Sequence, residues 1–203
     1  MNQRKRFGVP FFFVLPALIL LLVINVYPFF TGIYYSFFDG TLINLGSFIA
    51  LDNYFDLFQR QEFLNSLLFT LAFSAINVIG SYIVGMALAL LLNKDIPGRG
   101  VFRVAMLVPW VLSPVVSVVG WRWMIGDQNG LVNVFLSTFG IDTIYFLADG
   151  TWAQVSTIAL KIWRSFPFMM ISLLAGMQSI DRSLYEAASI DGAGKIKSFI
   201  HIT

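Results

Sequence analysis

Residues 64–92 read LNSLLFTLAFSAINVIGSYIVGMALALLL, a run without a single Asp, Glu, Lys or Arg. It exceeds the ~20 apolar residues a helix needs to cross a bilayer. Within it Ser81, Gly85 and Ala89 recur every four residues. That spacing lines small side chains along one helix face, where a second helix can approach closely. The run therefore predicts a membrane-spanning helix with a packing seam on one side.

The sequence on either side has the same character. Of 203 residues, 58% are hydrophobic and 12% charged; soluble domains have about 45–50% and 25%. Mean hydropathy is +0.78. Three further apolar runs, at about 11–37, 101–125 and 152–178, make four expected spans and an all-α polytopic membrane protein. The first follows a basic Arg4-Lys5-Arg6 but is too long for the core of a signal peptide. It contains Pro16 and Pro28, so a retained helix, kinked or broken near those prolines, is expected. The third contains Pro109 and Pro114, which predict a bent helix with freed carbonyls. It ends on Trp121-Arg122-Trp123, side chains suited to a membrane interface. In the mixed loop 39–62, the segment from Leu51 to Phe58 is read either as a short amphipathic helix or as an ordered loop with apolar anchors.

Charge placement suggests an orientation. The N-terminal tail, the turn from Lys94 to Arg103 and the segment after residue 180 together hold nine Lys and Arg, while the loops 39–62 and 126–150 hold one. Positive charge favours the cytoplasmic side. The N-terminus and the last segment are thus expected in the cytoplasm.

Several function classes are disfavoured. The absence of Cys removes disulfides and thiolate metal sites. His201 is the only histidine, which argues against a His-based metal site or a Ser-His-Asp triad in the spans. No cofactor is expected, and nothing points to nucleic acid. No Gly-rich Lys-Ser/Thr phosphate loop is present, so the chain is not expected to hydrolyse ATP or to be an enzyme. An ion-driven transporter would be expected to carry intramembrane carboxylates, and the four runs contain no Asp or Glu. Lys161 and Arg164, three residues apart on one helix face, do lie mid-span. Each costs about 2.5–3.5 kcal/mol on insertion scales. Carbonyls freed by Pro109, Pro114 or Pro167, a partner subunit, later helices or the solute are the available compensations. Lys161 and Arg164 are candidate pathway residues, together with Asn77, Ser113 and Ser117; the alternative for the three polar groups is a helix–helix hydrogen bond.

The last segment is different in kind. It contains Tyr185-Glu186-Ala187-Ala188-Ser189-Ile190-Asp191-Gly192-Ala193. Ser183 and Glu186 fit a capping box, Leu184, Ala187, Ala188 and Asp191 share a face, and Gly192 suits a left-handed helix stop. Beyond it Ile196, Phe199 and Ile200 form an apolar stripe. This segment resembles the cytoplasmic EAA loop of ATP-binding-cassette (ABC) importer permeases. Glu186-Ala187-Ala188, Gly192 and Ile202 keep the spacing of that motif, whose closing Leu-Pro would fall beyond Thr203. The stretch Leu174 to Ile180, Asp52-Asn53-Tyr54, Pro109-Trp110, Gly130-Leu131-Val132-Asn133 and Ile162-Trp163 through Phe168 are similar to maltose-type carbohydrate permeases of the first-subunit kind. Asp181 departs from the family, which commonly has Pro there, and is expected to leave the lead-in less rigid.

The resemblance implies one permease domain with a six-helix core, four spans of which fall in residues 1–203, with about two helices following. It implies coupling to a cytosolic ABC ATPase dimer through Tyr185, Glu186, Ala187, Ala188, Asp191 and Gly192, in a coupling loop at about 181–203. A second permease subunit and an extracytoplasmic solute-binding protein are the other implied partners, in the inner or plasma membrane of a bacterium or archaeon. The implied cargo is a sugar or sugar-like solute; glycerol phosphate, a polyamine or an amino acid is the alternative.

Overall fold

The computed structural model describes residues 8–41 and 43–203. Arg4-Lys5-Arg6 lies outside the described residues. The chain divides into two compact units, residues 1–69 and 70–203. Every regular element longer than a single bridge pair is helical among the described residues.

In the first unit, α1 (Gly8–Leu21) passes through a five-residue π turn (Leu22–Val26) into α2 (Tyr27–Tyr35). Proline has no N–H and its ring crowds the preceding turn. Directly ahead of Pro28, the Tyr27 N–H reaches back to the Leu22 carbonyl, five residues away. The widened turn absorbs the proline, whereas Pro16 sits inside α1. No side chain from Phe11 to Tyr35 is buried, as suits a helix whose solvent is lipid. The loop that follows is ordered by one antiparallel bridge between Phe38 and Phe48. Asn53, in α3 (Asp52–Gln59), donates from Nδ2 to the carbonyls of Ser36 (2.9 Å) and Phe38 (3.0 Å). The helical reading of 51–58 is the one that forms, and it anchors the loop before it.

In the second unit, the later part of α4 (Gln61–Leu92) buries Asn77, Ser81, Gly85 and Ala89, four residues apart, and then Leu92 three further on. Its partner is α8 (Gly150–Gln178), and Ala89, Leu92, Met170, Leu174 and Met177 form the core between them. A Cβ on Gly85 would stand 2.9 Å from the Met170 backbone nitrogen and 3.0 Å from the Met169 Cβ. The expected seam exists, and Gly85 is its point of closest backbone approach.

The segment 99–124 folds as α5 (Arg99–Val111) and α6 (Pro114–Met124), which meet at 95°. A residue before proline is pushed away from helical ψ. Ser113 accordingly has ψ 139° and Leu112 ψ 138°. The bend foreseen from the prolines is thus an elbow at Leu112–Ser113. Both of its arms touch α8, through Trp110–Phe168 and Trp121–Trp163 ring contacts, each with centroids 6.0 Å apart. Three helical stretches, Phe11–Tyr35, Gln61–Leu92 and Gly150–Gln178, are long and apolar enough to cross a membrane, or four if the bent pair counts as one. After α8 come α9 (Arg182–Ile190) and α10 (Lys195–Ile202).

Candidate functional site

The start of α9 corrects one expectation. Its N-cap is Asp181, not Ser183: Asp181 Oδ1 accepts the Ser183 backbone N–H at 2.9 Å. A carboxylate is the stronger acceptor, and its charge suits the positive end of the helix dipole. Glu186 does not reach back to the cap; its Oε1 lies 3.5 Å from Arg182 Nε on the exposed surface. The Asp181 residue that interrupts the family pattern therefore orders the lead-in through a cap. The Ser183 backbone bond first, and the Ser183 hydroxyl second, hold the Asp181 carboxyl below its ordinary value. A depressed carboxyl stabilises the fold above the unfolded value, about 3.9, and loses that contribution as pH falls through the folded value. Asp181→Ala should speed amide exchange at Ser183 and Leu184 at neutral pH, Asp181→Asn should do so less, and the difference between wild type and Ala should vanish in acid.

The end of α9 is as expected. Gly192 has φ +80°, in the left-handed region. The Gly192 N–H donates to Ser189 O (3.2 Å) and the Ala193 N–H to Ala188 O (2.8 Å). These two bonds make a Schellman stop. The chain then turns into α10, whose end is tied back by Tyr185 Oη to Thr203 Oγ1 at 3.0 Å. Tyr185 and Ala188 are half-buried in this helix pair, while Glu186, Ala187 and Asp191 are exposed. Leu184, Ile196 and Ile200 are also exposed, and Ile190 is 87% exposed. The helix pair, capped at the start of α9, thus presents large apolar side chains outside the long helices.

Lys161 and Arg164 lie at the centre of α8, beside the elbow. Arg164 is half-buried and its Nη2 donates to the Leu112 carbonyl at 3.4 Å. Of the compensations named above, the acceptor is the carbonyl left free at the break before Pro114. Arg164 Nε is buried with no acceptor among the described residues. Lys161 is exposed, and neither described ion pair, Arg99–Asp95 or Arg182–Glu186, involves it. Ser113 is exposed at the elbow. Asn77 and Ser117, 6% and 3% exposed, face helix contacts and bond their own helices, Asn77 Nδ2 to Phe73 O (2.7 Å) and Ser117 Oγ to Ser113 O (3.1 Å).

Asn133, near the start of α7 (Leu131–Ser137), holds the 126–149 loop together. Its Nδ2 donates to the carbonyls of Asp127 (3.1 Å) and Ile144 (2.9 Å), and its Oδ1 accepts the Ile144 N–H (3.0 Å). Asp127 Oδ1 accepts the Leu147 N–H at 2.9 Å. A lone Asn among apolar residues is a weak sequence signal, since its partners lie six and eleven residues away. Asn133→Ala leaves buried groups unpaired, at about 1–3 kcal/mol. It should make the 126–149 loop markedly more protease-sensitive, whereas Ser137→Ala should not.

Long apolar helices and a small-residue seam define a polytopic α-helical membrane protein. The comparisons with known proteins refine this. No protein-family model matches the chain. It is 36% identical over 191 residues to the trehalose/maltose transport system permease protein MalF of Thermococcus litoralis, covering 94% of this chain and 65% of that protein. It is 31% identical over 207 residues to the probable ABC transporter permease protein YurN of Bacillus subtilis, covering 100% of this chain and 70% of that one. Among solved structures, a bacterial alginate ABC transporter in complex with an alginate pentasaccharide-bound periplasmic protein matches with TM-score 0.81 and 27% identity, over 98% of this chain and 66% of that one. The chain belongs to the permease proteins of ABC transporters. It spans about two thirds of the length of these relatives.

Proposed function

We propose that the chain forms the membrane-spanning pathway of a binding-protein-dependent ABC importer for a sugar or sugar-like solute. The observation that carries this reading is the α9–α10 pair, capped by Asp181, stopped at Gly192 and exposing Leu184, Ile190, Ile196 and Ile200. Such a surface fits a cytosolic ATPase dimer, with Tyr185, Glu186, Ala187, Ala188, Asp191 and Gly192 transmitting its motion. The spans are about 11–37, 64–92, 101–125 and 152–178, in one permease domain with the coupling segment at 181–203. The N-terminus lies on the cytoplasmic side of the inner or plasma membrane, a placement supported by the concentration of Lys and Arg in alternate loops. Lys161, Arg164 and Ser113 border the pathway, and Asn77 and Ser117, buried in helix contacts, support its wall. The sugar assignment draws support from relatives named for trehalose, maltose and alginate. The chain itself is not catalytic, and ATP turnover belongs to the partner.

Affinity purification of the full-length protein from its host membrane tests the reading. An ABC ATPase, a second permease and a solute-binding protein should co-purify, and the ligand of the binding protein should be a saccharide. Recovery without an ATPase, or ATP turnover by the protein alone, would count against it.

A further inference from the structure

Among the contacts between α8 and the bent segment, three follow one another along α8: Trp163 with Trp121 on one arm, Arg164 with the Leu112 carbonyl at the corner, and Phe168 with Trp110 on the other arm. The two ring contacts are between aromatic side chains and carry no net charge. The corner contact is the charged, directional one of the three, and it is made in the bent form. In a continuous helix the Leu112 carbonyl would accept from the Val116 N–H, four residues on. In the bent form no side chain caps the start of α6, so the first N–H groups of that helix lack such a partner. Leu112 O thus accepts from Arg164 in the bent form, and a straightened helix would supply it with the Val116 N–H instead. The Arg164 bond is long, at 3.4 Å, and Arg164 Nε is buried without an acceptor. A clasp that is directional but incompletely satisfied is easily released.

We propose that Arg164 is a positioning residue that clasps the Leu112–Ser113 elbow and, by holding or releasing the Leu112 carbonyl, sets the bend of the α5–α6 segment. Its consequence for transport rests on the importer reading above; the clasp itself does not. The guanidinium is suited to this because its charge strengthens a single carbonyl contact.

The chain contains no cysteine, so paired cysteines introduced at the exposed Val104 and Val119, on opposite arms, give clean spin-label sites. Pulsed electron paramagnetic resonance on the assembled transporter in lipid reads the distance across the elbow. Wild type should show two distances whose populations shift between nucleotide-free and ATP-analogue states. Arg164→Gln should move the population to the longer distance in both states and lower uptake per ATP hydrolysed about tenfold, within the range of typical coupling energies. Arg164→Lys, which keeps one charged donor, should restore the short distance and most of the uptake. A single unchanging distance in wild type overturns the proposal whether or not the Gln variant assembles. So does an Arg164→Gln variant with the wild-type distances. Loss of uptake in both Gln and Lys variants with the bend intact also overturns it, because Arg164 would then act on the solute directly. If no ATPase partner exists, the importer reading fails, and the Gln-against-wild-type distance in lipid still decides the clasp.

Discussion

Gly85→Leu should abolish most assembled protein in the membrane, while Ser81→Ala, one turn earlier on the same buried face, should leave assembly unchanged or improved. The two residues share a seam but not a constraint. At Gly85 even a Cβ would press on the backbone nitrogen of Met170 at 2.9 Å and on Met169. A backbone atom cannot rotate out of the way, so α4 and α8 must separate. Separation would open the core of Ala89, Leu92, Met170, Leu174 and Met177 next to it. Overpacking of a close-packed site costs about 1–3 kcal/mol and sometimes more, and a clash against backbone belongs at the upper end. In lipid no hydrophobic force drives the helices back together; contact packing is what holds them. Ser81 is 3% exposed and its Oγ has no hydrogen-bond partner among the described residues. Removing an unpaired buried hydroxyl relieves a cost without opening a large void. Fluorescence-detected size exclusion of the two variants reads the contrast directly. A Gly85→Leu protein with wild-type yield and melting temperature would show that the seam is not a close contact.

The seam was legible because a helix projects its side chains at a fixed period, and Ser81, Gly85 and Ala89 need only that period to share a face. Gly192 was legible for a similar reason: glycine is the residue that enters the left-handed region without strain. The bend between α5 and α6 followed in outline from Pro109 and Pro114. Its angle and exact corner did not, because they depend on α8 holding both arms through Trp163, Arg164 and Phe168. The cap of α9 was misread by two residues. Ser183 and Glu186 have the right spacing for a capping box, but Asp181 offers a charged acceptor earlier, and the helix begins where the stronger acceptor places it. Asn133 was invisible as a site for the opposite reason. Its partners at 127 and 144 are brought together only by the fold of the loop, and no local pattern announces them.

Gly192→Val should leave the permease in the membrane at normal levels yet uncouple it. The long helices end before residue 182, so the substitution touches none of their contacts. Its effect falls on the turn between α9 and α10. A non-glycine residue in the left-handed region costs about 1–2 kcal/mol, and a β-branched one is a steric outlier there. Escape from that conformation breaks the Gly192–Ser189 and Ala193–Ala188 bonds and redirects α10. The Tyr185–Thr203 link, 3.0 Å across the pair, then cannot form, and Ile190 no longer stands in fixed relation to Ile196 and Ile200. On the proposed importer reading, a coupling pair that has lost its internal angle transmits less motion, so uptake per ATP hydrolysed should fall about tenfold or more, within the range of typical coupling energies. Gly192→Asn should lie between Val and wild type, since Asn enters the left-handed region more readily. Parallel measurement of solute uptake, ATP hydrolysis and ATPase recovered with the permease, all in proteoliposomes, separates loss of docking from loss of transmission. A Val variant that transports at the wild-type ratio with its ATPase bound would remove the turn from the coupling path and leave α9 alone as the contact.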